Sequence, residues 1–267
     1  MSVTEKVPTP LVRGALGVAR AVAGTDVVPT LSKELPGGGP ARTPAPAPGA
    51  DAIFLPACVG TMFGSQHACG TGVAGAVRQL AEQAGLVLST PVGVAELCCG
   101  TPWKSKGLAK GYDTMKTKLV DWVQEHTRDG ELPLVCDNVS CTEGIIVALK
   151  NAGVAGIRVL DATEWVAEHV APRLPALPKA RHAVVHPTCS STQLGVNDAL
   201  LFLAGLVAEK AVVPEGWRCC AFAASDEFVK GSPNTYAALL KSIIDATAFA
   251  TKNENRKKIA EAIAPAN

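Results

Sequence analysis

From Asp51 onward the chain alternates short apolar runs with amphipathic stretches, and this limits it to few folds. "AIFLPA" reads as a short buried strand, and "GVAGAVRQLAEQAG" as a helix ending at Gly85. "LVLSTP" is a second strand and "KGYDTMKTKLVDWVQEHTRDG" a long helix. "LPLVCD" is a third strand, "CTEGIIVALKNAG" the next helix, and "IRVLDA" with "TEWVAEHV" continues the alternation. After the proline-spaced "APRLPALPKA" the pattern restarts with the strand "AVVHP" and the helix "TQLGVNDALLFLAGLVAEKA". Strands alternating with helices predict an α/β fold around mainly parallel sheets.

The restart is also a repeat. A strand runs into Cys58 and a Cys-Cys pair, Cys98 and Cys99, begins 40 positions later. A strand then runs towards Cys189 and a second pair, Cys219 and Cys220, begins 30 positions later. Self-similarity on this scale predicts two tandem copies of one α/β module, the second shortened. The expected organisation is an N-terminal helix and Pro/Gly-rich linker over 1–51, a first module over 52–178, a second over 179–251 and a tail over 252–267. Within the first segment, "LVRGALGVARAVAG" reads as a short amphipathic helix. Residues 28–50, with six prolines and four glycines, read as an extended linker outside the packed core.

Composition excludes several functions. A 48% share of apolar residues against 18% charged is that of a globular chain. A net charge of +1 argues against a broad nucleic-acid surface or an electrostatic membrane anchor, and 4% aromatics against base-stacking platforms. No apolar run reaches the roughly 18–20 residues that span a bilayer. The N-terminal stretch, broken by Arg13 and Arg20, does not fit a secretion signal. The expectation is a reducing, cytoplasmic setting, with any approach to a membrane made through partners. There, nine clustered cysteines point to metal or redox chemistry rather than a disulfide framework.

Adjacent cysteines such as Cys98 and Cys99 are poor disulfide partners for each other. The chain holds no C-x-x-C, the usual half of a structural zinc site. Thiolates from several strand ends suit an iron–sulfur cluster, in which several irons each need a sulfur. The plain alternative is a set of ordinary buried cysteines. Both copies place their cysteines just after strands, where open α/β sheets carry their binding sites.

"LPACVGTMFG", "LCCGTPWKSKG", "CDNVSCTEG" and "HPTCSSTQLGVNDAL" followed by "GWRCCAFA" resemble the cysteine-rich (CCG) domains of heterodisulfide-reductase-type proteins. The likeness is closest to the C-terminal region of bacterial FAD- and iron–sulfur-dependent D-lactate dehydrogenases, and it covers roughly residues 52–225. It implies a module that carries electrons onward from a flavin domain oxidising D-lactate or a related 2-hydroxyacid, with FAD on a partner domain or subunit. It also implies iron–sulfur clusters of 4Fe-4S type, the first held by Cys58, Cys98, Cys99 and Cys141, the second by Cys189, Cys219 and Cys220. The family's second module continues to one more cysteine, whereas no cysteine follows Cys220 here, and the flavin and ferredoxin-type segments are absent. The expectation is therefore one stable cluster, a second site empty or easily emptied, and no lactate oxidation by this chain alone. The rival expectation is a non-redox scaffold whose thiols bind zinc or nothing.

Other signals read more simply. "GTGVAG" (Gly70, Gly72, Gly75) matches a dinucleotide fingerprint but lies some twelve residues beyond its strand, so a helix start is expected. Cys136 is either a fifth ligand or a structural thiol, and Cys69 is structural. His186 either hydrogen-bonds a sulfur or fixes the turn before Pro187. Lys104 and Lys106 flank the first pair, where a cation would favour a reduced cluster. His67 and Cys69, two positions apart, do not make a catalytic dyad.

Overall fold

The computed structural model describes residues 9–24, 38–64, 71–176, 178–213 and 226–263. The chain divides into two compact units, Met1–Trp217 and Arg218–Asn267.

The first unit opens with helix α1 (Thr9–Ala23), the amphipathic helix expected there. Its centre is a sheet of four strands, β1 (Ala52–Leu55), β2 (Leu88–Ser89), β3 (Leu134–Cys136) and β4 (Val159–Asp161), in the order β2-β1-β3-β4 with every pairing parallel. The β1 sequence AIFL is apolar at every position because both faces of the strand are covered. Ile53 and Leu55 face a cluster with Leu119, Val123, Ile145 and Leu149, while Ala52 and Phe54 face another with Val77, Ala81, Leu160 and Trp165. The two-residue period of the strand thus feeds two cores. Each fully buried side chain such as Phe54 contributes about 1.5–3 kcal/mol.

The covering helices are α2 (Val59–Met62), α3 (Gly72–Gln83), α4 (Thr101–Ser105), α5 (Ala109–Thr127), α6 (Val139–Asn151) and α7 (Ala162–Trp165), the last continued by wider and tighter turns to Arg173. Local chemistry starts the helices after β3 and β4. Asn138 caps α6 by accepting from the Cys141 amide at 3.2 Å, and Asp161 caps α7 by accepting from Thr163 N at 2.9 Å. The buried Asp161 carboxylate also accepts from the Thr142 hydroxyl at 3.3 Å, so it is satisfied on both sides.

Residues 38–50, read from sequence as linker, are tied to the sheet. Ala45 bridges Thr90 antiparallel, and the Ala47 amide donates to Ser89 Oγ at 3.1 Å. A proline-rich segment can lie this way only along a sheet edge, where half of its amides need no ladder partner.

The second sheet pairs β5 (Ala180–Val184) with β6 (Ala208–Val212), again in parallel. The single helix expected over 192–211 is two helices, α8 (Cys189–Leu194) and α9 (Asn197–Val207), followed by a strand. Gly195, at φ +81°, closes α8 with the left-handed cap that glycine adopts without steric cost. In β6, "AEKAV" is helix-favouring by propensity, and pairing along β5 overrides that preference. β5 likewise begins three residues before "AVVHP". With both sheets parallel and flanked by helices, the fold is α/β.

In the second unit the helices are α10 (Asp226–Gly231), α11 (Pro233–Ala250) and α12 (Arg256–Ile263). Pro233 occupies the first turn of α11, where its missing amide costs nothing. Among the described residues no helix is long and apolar enough to cross a membrane.

Candidate functional site

The sheet reverses its direction of growth at β1. From β1 the chain goes first to β2 on one side and then to β3 on the other, so a crevice opens beyond the carboxyl ends of β1 and β3. Five cysteines gather there. Cys58 lies three residues past β1, and Cys136 is the last residue of β3. Cys141 is in the first turn of α6, and Cys98 and Cys99 precede α4. They line one small pocket together with Arg42, Leu97 and Ile145. All five are free thiols; Cys99 and Cys136 are buried, and the other three are half-buried.

Thiol–thiol interactions connect them in one string: Cys58 to Cys98, Cys98 to Cys99, Cys99 to Cys141 and Cys141 to Cys136. Neighbouring sulfurs cannot all ionise, so Cys98 and Cys141 are pushed towards keeping their protons and Cys58 and Cys99 towards losing theirs. The Cys141 and Cys98 thiols, then the Thr101 hydroxyl and amide, hold Cys99 down to about 2 against its burial. The Cys98 thiol, helped by the Arg42 charge and opposed by burial, lowers Cys58 to about 6. Cys98 is pushed up by donating to Cys58 and Cys99, and Cys141 is pushed up by Cys136 and Cys99. Cys99 Sγ also lies 3.4 Å from Thr101 Oγ1, the first residue of α4.

Two residues missed in the sequence reading hold this string in place. Arg42 reaches in from the 38–50 segment and donates to Pro56 O at 3.2 Å, Ala95 O at 3.1 Å and Leu97 O at 2.7 Å. It thereby clamps the turn leading to Cys58 against the turn leading to Cys98. Asp137 Oδ1 accepts from Ala57 N at 2.6 Å and joins the ends of β1 and β3. Arg42 had a faint signal, as the one cation of "PGGGPARTPAPAPG"; Asp137 had its place beside Cys136 at a strand end. Gly144 in α6 completes the packing. A Cβ there would stand 2.4 Å from Thr101 Oγ1 and 3.1 Å from Cys99 O, so only glycine lets α6 approach the cysteine turn.

The structure therefore brings together Cys58, Cys98, Cys99 and Cys141, and adds Cys136 to them. Cys189, at the start of α8 under a Thr188–Ser191 capping box, is in a disulfide. Cys219, Cys220, Cys69, His67 and Gly70 lie outside the described residues. Gly72 begins α3 at φ +69° and Gly75 is inside that helix, as expected of a helix start. His186 lies two residues after β5. Lys104 and Lys106 are exposed, in α4 and directly after it.

An all-sulfur donor set drawn from three strand ends fits a soft metal group. Cys58, Cys98, Cys99 and Cys141 are the residues that could hold one, with Cys136 in reach of Cys141. Among the described residues no three His, Cys, Asp or Glu side chains stand at the spacing of ligands around a single ion. The sulfurs face one another instead, and the pocket between them encloses about 10 Å³.

Residues 206–264 match the NMT1-like family, a stretch from the end of α9 into the second unit and less than a quarter of the chain. The thiol site lies wholly outside it. No curated protein and no solved structure matches the chain.

Proposed function

We propose that this chain is an iron–sulfur electron-transfer module of a flavin-dependent system oxidising D-lactate or a related 2-hydroxyacid. The observation that carries the reading is the gathering of Cys58, Cys98, Cys99, Cys141 and Cys136 at the switch point of a parallel sheet. Cys58, Cys98, Cys99 and Cys141 would hold the cluster, which when bound would accept and release single electrons. The polypeptide supplies the rest. The Thr101 hydroxyl and amide stabilise negative charge on Cys99, and Arg42 adds a cation near Cys58. Burial of Cys99 and Cys136 among Leu97 and Ile145 keeps water from the inner sulfurs. FAD and the hydroxyacid belong to a partner domain or subunit.

The test is anaerobic purification with iron, zinc and acid-labile sulfide analysis and electron paramagnetic resonance of the reduced protein. The expected result is a brown protein with about four irons and matching sulfide per chain. A protein that stays colourless and iron-free after reconstitution overturns the reading. Zinc without sulfide would support the scaffold alternative.

A further inference from the structure

The stretch directly after Cys98 and Cys99 carries a charge pattern that the thiol site does not use. Between Thr101 and Lys118 there are five lysines and one aspartate, in a chain whose net charge is +1. Residues 102–110 are exposed without interruption, and among them are two large apolar side chains, Trp103 at 38% and Leu108 at 51% exposure. Lys104, Lys106 and Lys110 surround these two in sequence. Lys116, by contrast, is engaged by Asp113 at 3.1 Å and by the Tyr112 ring.

Two features distinguish this patch from an ordinary solvated face. Lys110 sits in the first turn of the 19-residue helix α5, where the helix dipole opposes a cation and where no acidic residue offsets it. Trp103 is held rather than loose, since its ring covers Gly111, where an added Cβ would stand 2.4 Å from it. A packed aromatic among exposed cations is the composition of an interface that is steered by charge and anchored by one side chain. The patch also adjoins the thiol string, because α4 begins at Thr101, in contact with Cys99 Sγ.

We infer that the α4–α5 corner, with the exposed Trp103 and Leu108 and the neighbouring Lys104, Lys106 and Lys110, is the docking face for an acidic electron-transfer protein. The inference rests on the electron-transfer reading above, and names the partner chemistry that reading leaves open.

The test titrates the full chain, with and without reconstituted iron, against an acidic two-iron ferredoxin as probe, read by calorimetry. Binding is expected at about 20 mM salt and should weaken about tenfold or more by about 200 mM, since screening shortens the reach of exposed charges. K104E/K106E/K110E should weaken binding about tenfold or more, while K150E/K210E/K252E, reversing three exposed lysines elsewhere, should change it less than about twofold. W103A should lose about fivefold or more by removing the anchor. K104Q/K106Q/K110Q, with circular dichroism on each variant, separates lost charge from lost fold. Absence of binding, equal loss in both reversal triples, or a preference for anionic vesicles over ferredoxin overturns the inference. Ferredoxin binding without iron uptake would fail the cluster reading and leave the docking face standing; iron uptake without binding would do the reverse.

Discussion

Asp137 Oδ1 accepts the amide hydrogen of Ala57 at 2.6 Å, so the residue after Cys136 holds the residue before Cys58. Burial pushes the Asp137 carboxyl above its usual range, while the Ala57 amide and the Arg42 charge pull it back. Asp137→Ala should leave a buried amide unpaired and cost about 1–3 kcal/mol in urea denaturation. Asp137→Asn keeps an acceptor and should cost clearly less. Equal losses in the two variants would show that this hydrogen bond does not join the strand ends.

Arg42 ties three carbonyls from two turns. Arg42→Ala should cost about 1–2 kcal/mol, and lysine should restore only part, since one ammonium cannot span all three acceptors. In the metal-free protein the loss of this cation should also raise Cys58 from about 6, because Arg42 is one of the influences lowering it. Fewer Cys58 thiolates at neutral pH should slow alkylation by iodoacetamide, measured by peptide mass spectrometry. An unchanged rate would remove Arg42 from the electrostatics of the site.

Gly144→Ala places a methyl group against Thr101 Oγ1 and the Cys99 carbonyl. The expected cost is about 1–3 kcal/mol from overpacking. The double variant Gly144→Ala/Thr101→Ser should not recover it, because the hydroxyl and the Cys99 backbone both remain. Full recovery would place the clash on the threonine methyl instead.

Cysteine variants probe the proposed cluster. Cys99→Ser should remove most of the bound iron, about four atoms per chain in the parent. Cys136→Ser should retain most of it if the four proposed ligands suffice, and Cys220→Ser should change little. Halving of a content of about eight irons by Cys220→Ser would show that the second set is complete after all.

Glu164 offers a pH test remote from the thiols. Burial, then the neighbouring Glu168 charge, raises its carboxyl above 4.5. A raised carboxylate pKa means that folding disfavours ionisation, so the fold bears a penalty above that pKa. Glu164→Gln should therefore stabilise at neutral pH, by under about 0.5 kcal/mol given its exposure to solvent. The gain should fade on acidification and vanish below about pH 4, where folded and unfolded chains both hold the proton. Differential scanning calorimetry across that range checks the sign; a gain that persists at pH 4 would contradict it.

Period and punctuation alone determined the α/β class, the first four strands and most of their helices. β1 is apolar throughout because both its faces are covered, and Asn138 and Asp161 mark helix starts by their own chemistry. The cysteine pairs likewise drew attention to the thiols of the first half, and the resemblance to CCG domains implied Cys58, Cys98, Cys99 and Cys141 as one group. Tertiary structure alone decided the rest. "AEKAV" becomes β6 because pairing with β5 outweighs local propensity, and 38–50 joins the fold because the edge of β2 offers it hydrogen bonds. Neither partner is visible in a local window. Arg42 meets the carbonyls of Ala95 and Leu97 across more than fifty residues of chain, and Asp137 meets Ala57 across eighty. Such contacts depend on which strands become neighbours, and hydrophobic period does not encode strand order.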